Sequence, residues 1–352
     1  MHELDGSDAG GQFLRTALSL SAVRGEAVRL ENVRGGRSNP GLRPQHLAVL
    51  ETLAEICDAD VSGNELGAET VAFDPGAVTV TGGQYSVEID TAGSVTLLFD
   101  ALLPLVTRLE SPLSVTATGG TDVAWSPPMD YYRYVKLPLL RRFGLEAAVE
   151  LDRRGFYPTG GGRATLRLSP STLAPIRLGE ERRTNPEPDY VRVYSTEAAA
   201  LADSDVASRQ AGGALEALSR ALGDHDHDHD HDLTVRDRVE TTAESACPGS
   251  AVVLRIDGSN TIAGFTALGE PGKRAERVGE EAADAAKRFL ASDAPVDRHM
   301  ADQLLVFLAL AGGRVKIPTV TDHVDSSLAL LESMGDELIV DREELVVSRE
   351  NA

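Results

Sequence analysis

The chain has 352 residues, 55 acidic against 34 basic side chains and a formal net charge of -21. That length exceeds one simple core and predicts two or more domains or a repeated architecture. The dispersed acidic charge argues against non-specific duplex binding and suits a halophilic source, while leaving room for a locally basic pocket. Only Cys57 and Cys247 occur, without CxxC spacing, so neither a disulfide framework nor a zinc site is supported. No basic and apolar leader opens the sequence and no apolar run is long enough to cross a bilayer. The expectation is a soluble cytoplasmic protein with no membrane partner.

In chain order, Leu4 to Gln12 reads as a Gly-rich turn after a short strand. Phe13, Leu14, Ala17, Leu18 and Leu20 continue it as an apolar helix. Amides at Gly10 and Gly11, a helix N-terminus and Arg15 can cradle a phosphate, or the loop is only a helix-starting turn. The Walker order GxxxxGK[ST] is absent. A strand over 28–33 leads into Arg34, Arg37 and Arg43, gathered in a Gly/Pro loop that ends at Gln45 and His46. Three arginines in so acidic a chain suggest either a dedicated phosphate site or local pairing with carboxylates. A helix through Leu47, Leu50, Leu53 and Ile56 follows.

Short strands are predicted from Val71 to Ile89, then a helix from Val95 to Leu105 and a strand at Ser114 to Ala117. An irregular loop carries Trp125, Ser126, Pro127 and Pro128, and a helix runs from Met129 to Phe143. Strands flank the turn Arg154 to Gly162. The order strand, helix, strand, helix, two strands thus occurs twice, and after about residue 266 a third time. The predicted fold is α/β, with three repeated βαβαββ-type units over 1–172 and 267–352 and a smaller inserted α/β domain over 173–266. The insert holds an Ala-rich helix near Ala207 to Leu222 and the alternating run Asp224 to Asp232. That run reads as a solvated acidic loop or, alternatively, a zinc or nickel binder.

Near the end, Asp297 is a candidate N-cap and Gly312-Gly313 a stop, which frames a helix. Leu304, Leu308 and Ala311 form its buried stripe, and His299, Asp302, Gln303 and Phe307 leave from a neighbouring face. The positive end of the helix dipole favours a neutral ring at His299. Such a ring can be a base, a metal ligand or a nucleophile, or simply a surface histidine near a cap.

Four stretches together resemble the RNA 3'-terminal phosphate cyclase family. They are Leu4 to Ser21, Arg34 to His46, Arg154 to Gly162, and His299-Met300-Ala301-Asp302-Gln303-Leu304, the last similar to that family's HxADQL segment. Their order and spacing agree, and the resemblance covers nearly the whole chain. It implies ATP-dependent conversion of an RNA 3'-phosphate to a 2',3'-cyclic phosphate, through an adenylyl-histidine and then an RNA-(3')pp(5')A intermediate. It implies His299 as nucleophile. Arg15, Arg34, Arg37 and Gln45 would hold phosphates, Pro127 and Pro128 would wall the adenine, and Asp302 and Gln303 would orient the ring. It implies Mg2+ or Mn2+ bridging phosphate oxygens. Two departures stand out. The glycine loop is shortened, with Asp8 where the family carries a metal-binding glutamate, and Asp100 lies where relatives often carry a neutral amide. The alternatives are a non-catalytic relative serving ribosome assembly, which would lack the histidine, and an enolpyruvyl-transfer enzyme. The sequence leaves the oligomeric state open.

Overall fold

A computed structural model describes residues 1–76, 80–179, 190–223, 234–258 and 262–349, with the side chains of 221–223 left aside. The first unit comprises β1 (His2–Asp5), α1 (Gly11–Arg24), β2 (Val28–Glu31), α2 (Pro44–Cys57), β3 (Asp60–Ser62) and β4 (Val71–Asp74). Its sheet order is β1-β2-β4-β3. The pair β1/β2 is parallel and the other pairs are antiparallel. Helix α1 stops at Gly25, whose φ of 68° lets its N–H return to the Ser21 carbonyl. Strand β2 is shorter than expected because Asn32 and Arg34 take left-handed backbone, with φ of 51° and 57°.

The second unit comprises β5 (Gly83–Glu88), α3 (Val95–Leu102), β6 (Leu113–Gly119), α4 (Met129–Tyr131), a π-turn over Tyr132–Lys136, α5 (Leu137–Arg141), β7 (Ala147–Arg153) and β8 (Gly162–Leu168). Its order, β5-β6-β8-β7, repeats the first, again with only the leading pair parallel. Then come β9 (Ile176–Leu178), β10 (Tyr190–Ala198), α6 (Val206–Gly223), β11 (Thr234–Ala243), β12 (Ser250–Asp257), β13 (Ile262–Leu268) and α7 (Ala275–Leu290). The chain closes with α8 (Arg298–Gln303), α9 (Leu305–Ala311), β14 (Gly313–Lys316), α10 (Asp322–Ser333), β15 (Ile339–Asp341) and β16 (Val346–Arg349).

The third sheet, read from its parallel end, is β9-β14-β16-β15, with β9/β14 parallel and the other pairs antiparallel. Its first strand therefore lies within the stretch expected for the insert, and the insert is threaded between two strands that pair. The fourth sheet, β11-β10-β12-β13, carries α6 and α7 on a separate core that includes Val193, Ala214, Leu254, Val278, Ala282 and Phe289. Helix α7 lies beyond residue 266, yet its apolar stripe faces this sheet. One larger core joins the three repeated units, from Leu18 and Leu50 through Phe99 and Leu166 to Leu304 and Leu330. The run Asp224 to Asp232 lies outside the described residues.

The His299 segment begins as predicted. The Asp297 side chain accepts from the His299 and Met300 amides and caps α8. The single helix expected up to Gly312 is instead divided at Leu304 into α8 and α9. Gly312, at φ 71°, ends α9, and Gly313 opens β14. Leu304 and Leu308 are fully buried, while Ala311 is half-buried at the end.

Candidate active site

A cavity of about 910 Å³ opens where the first two units, the third unit and β13 of the inserted sheet meet. Several segments converge on it. The start of α1 contributes Gln12 and Arg15, and the adjoining loop and α2 contribute Arg34, Arg37, Gln45 and His46. The 125–128 loop contributes Pro127 and Pro128, and α8 contributes Arg298, His299, Asp302 and Gln303. The sequence thus placed Arg15, Arg34, Arg37, Gln45, Pro127, Pro128, His299, Asp302 and Gln303 in what proves to be one cavity. Asp8 is exposed and is not among the lining residues.

The glycine and arginine loops are joined to each other. Gly35 N–H donates to the Gly6 carbonyl at 3.3 Å, and a Cβ added at Gly36 would stand 3.0 Å from the Ser7 carbonyl oxygen. The Asp5 carboxylate accepts from Ser7 N, Ser7 Oγ and Asn32 Nδ2, which holds it below the usual carboxylate range. Arg34 spends one guanidinium nitrogen on the Asn39 and Gly41 carbonyls, at 2.8 and 3.0 Å. Burial, together with the repulsion of Arg43 and Arg37, lowers its affinity for its proton. Among the described residues no carboxylate pairs with Arg15, Arg34, Arg37 or Arg43. Among the described residues, pairing with carboxylates therefore does not account for this cluster.

Five cations (Arg15, Arg34, Arg37, Lys136, Arg298) and two carboxylates (Asp100, Asp302) line the cavity. A net-positive cavity in a chain of charge -21 is built to receive an anion. Arg15 is pulled down by burial and pulled back up by Asp100 and Asp302. Asp100 is paired: Lys136 Nζ donates to it at 2.6 Å. Its charge is therefore met inside the cavity rather than turned against a phosphate. Lys136 is a contributor that sequence reasoning missed. The available signal was a lone lysine inside the apolar run from Tyr131 to Leu140.

His46 was also missed as a site residue. It is buried against Gly11, where an added Cβ would stand 2.1 Å from its Nε2. Its Nδ1 accepts from the Arg43 amide at 3.3 Å. Burial, then Arg15, Arg34 and Arg43, push its pKa down to about 3, so at neutral pH it is an uncharged imidazole beside three cations.

The His299 ring stands exposed at the cavity wall, one turn before the buried Asp302. Burial raises the Asp302 pKa, while Gln12, His323 and His299 pull it back. Gln303 Oε1 is buried and has no hydrogen-bond partner among the described residues. Asp297 fixes this helix from beneath. Besides its two cap bonds it accepts from Tyr131 Oη at 3.0 Å and from Gly264 N at 2.9 Å. Burial raises its pKa against those donors.

Among the described residues no three His, Cys, Asp or Glu side chains converge to hold a metal ion. The donor set suits only a divalent ion that brings most of its ligands with it, as Mg2+ does when it binds through phosphate oxygens and water. The motif Arg154 to Gly162 is structural rather than part of the cavity. Arg154 forks between Asp122, at 2.9 Å, and Asp130, at 2.6 Å; burial disfavours its charge, but the two carboxylates outweigh that and strengthen the guanidinium's hold on its proton.

Residues 7–338 match the family model described as RNA 3'-terminal phosphate cyclase. The chain belongs to that family. It is 46% identical over 340 residues to an RNA 3'-terminal phosphate cyclase of Halobacterium salinarum, covering 94% of each chain. It is 39% identical to that of Pyrobaculum aerophilum, covering 94% of this chain and 91% of the relative. The Pyrococcus furiosus protein of the same name is 38% identical, covering 94% and 92%. Among the described residues no helix is long and apolar enough to cross a membrane.

Proposed function

We propose that this chain converts an RNA 3'-terminal phosphate to a 2',3'-cyclic phosphate at the expense of ATP, with His299 as the nucleophile. The observation that carries the reading is the net-positive cavity whose arginines form no ion pair with a carboxylate among the described residues and whose wall presents His299 beside Asp302. A His299 ring nitrogen attacks the α-phosphorus of ATP, the bond to the β-phosphate oxygen breaks and diphosphate leaves. AMP then passes from nitrogen to an oxygen of the RNA 3'-phosphate. The neighbouring 2'-hydroxyl closes on that phosphorus and AMP departs. Only RNA supplies that hydroxyl.

Arg15 and Arg37, which form no ion pair with a carboxylate among the described residues, neutralise the phosphates that would otherwise repel each other. Arg34 and Gln45 hold the same groups from the loop side, and Asp302 and Gln303 orient the ring and the transferring group. Pro127 and Pro128 give the adenine an apolar wall. A Mg2+ or Mn2+ ion, when bound, would supply further charge neutralisation on the phosphate oxygens, with Asp8, just before Ala9 and Gly10 but outside the cavity lining, as the chain's candidate ligand. The acidic chain and its Halobacterium relative favour assays at high salt.

The test is incubation with α-labelled ATP and Mg2+ or Mn2+, denaturing electrophoresis and peptide mapping. Label on the His299 peptide, chased by 3'-phosphorylated RNA, is the expected result. Absence of label in folded protein with either metal would sink the reading and favour the non-catalytic alternative.

A further inference from the structure

Trp125 is the chain's one tryptophan, and it is 98% exposed. It lines the cavity, and at φ 66° it holds a left-handed backbone conformation that a bulky side chain rarely adopts. The segment carrying it is pinned on both sides. Before it, the Thr121 and Asp122 amides donate to the Gly155 carbonyl at 2.9 and 3.1 Å, and Ser126 Oγ donates to the Val123 carbonyl at 3.0 Å. After it, Thr96 Oγ1 donates to the Pro127 carbonyl at 2.8 Å, and Met129 N–H donates to the Thr121 carbonyl at 2.9 Å. A firmly held strap therefore presents an indole to solvent at the lip of a cavity. Burying that ring would have been favourable, so its position calls for a ligand face.

Chemistry narrows the ligand. Arg15, Arg34, Arg37, Lys136 and Arg298 repel a cation, which removes the usual cationic partner of an indole face. A flat, π-bearing group attached to phosphate satisfies both the ring and the arginines, and that group is a nucleobase. Two nucleobases visit this site on the function proposed above, on which the inference rests. The adenine of ATP has the half-buried Pro127 and the buried Pro128 further in. A polynucleotide has to leave across the lip. We infer that Trp125 is a stacking platform for a base at the 3' end of the RNA substrate.

The sole tryptophan makes the binding directly readable. Intrinsic fluorescence is titrated with a 3'-phosphorylated oligoribonucleotide, with the same strand lacking its terminal base, and with ATP alone. Quenching by the complete strand that falls away when the base is absent is expected. Trp125→Ala is expected to raise KM for RNA by roughly 5- to 150-fold, the range of one base–aromatic stack. Trp125→Phe should recover most of that loss, and KM for ATP should move less than KM for RNA. A larger effect on ATP than on RNA would reassign the ring to adenine and overturn the inference. So would RNA binding indifferent to the terminal base. RNA-dependent quenching in a protein that never labels with ATP would sink the catalytic reading and leave the stacking subsite standing. Labelling without any RNA-dependent quenching would do the reverse.

Discussion

Asp297→Ala tests how the nucleophile is held. Asp297 is 2% exposed and accepts from four donors: the His299 and Met300 amides, Tyr131 Oη and Gly264 N. Loss of the cap costs about 1 kcal/mol. Two buried donors, Tyr131 Oη and Gly264 N, are left without partners at about 1–3 kcal/mol each. Removing a carboxylate that burial already disfavours gives part of this back. The net destabilisation should be roughly 2–5 kcal/mol, a large share of the ~5–15 kcal/mol typical of folded domains. Asp297→Asn keeps an oxygen for the cap, and its amide can donate to Tyr131. Only the Gly264 N–H then faces a donor, so the loss should stay near 1–3 kcal/mol. Urea unfolding at fixed high salt measures both variants, and labelling with α-labelled ATP reads the effect on His299. An alanine variant within about 0.5 kcal/mol of the native chain would refute the claim that this carboxylate locks α8 to Tyr131 and β13.

Arg15→Ala should leave folding nearly unchanged, because among the described residues no carboxylate forms an ion pair with it, while kcat/KM for ATP in self-adenylylation falls about 10- to 150-fold through loss of a charge-assisted contact of ~1.5–3 kcal/mol. Unaltered labelling at low ATP would remove Arg15 from the phosphate site. His46 has a folded pKa depressed from 6.5 to about 3, so the unfolded chain takes up the proton first as pH falls. Its contribution is complete above pH 6.5 and is lost between there and about 3, at up to about 1.4 kcal/mol per pH unit. Denaturation of the native chain and His46→Asn at pH 7 and pH 5 should show a smaller decline in the variant; parallel declines would contradict this. Gly11→Ala places a methyl carbon 2.1 Å from His46 Nε2, so it should cost ~1–3 kcal/mol by overpacking and weaken labelling, whereas unchanged thermal unfolding would show that the ring moves freely.

Where a feature rests on local chemistry, the sequence alone determined it. Asp297 caps its helix because a carboxylate in the N-cap position meets the next free amides, and Gly312 ends the chain's last apolar helix pair because it tolerates a positive φ. The arginine loop and the HxADQL segment were legible for the same reason, and so were the first two repeated units, whose strands pair with neighbours close in sequence. Tertiary structure decided the rest. Strand β9 finds its partner β14 only across the whole insert, and no periodicity encodes which distant strand will pair. Helix α7 is amphipathic by sequence, but only packing shows that its stripe faces the inserted sheet. Asp100 read alone was a carboxylate where relatives often carry a neutral amide, and the fold brings Lys136 to meet it. Trp125 read alone was one aromatic in a loop, and its exposure at the cavity lip exists only once segments distant in sequence have closed around that space. Caps and helical stripes are set within a few residues, whereas burial, charge pairing and a cavity need groups that only the folded chain brings together.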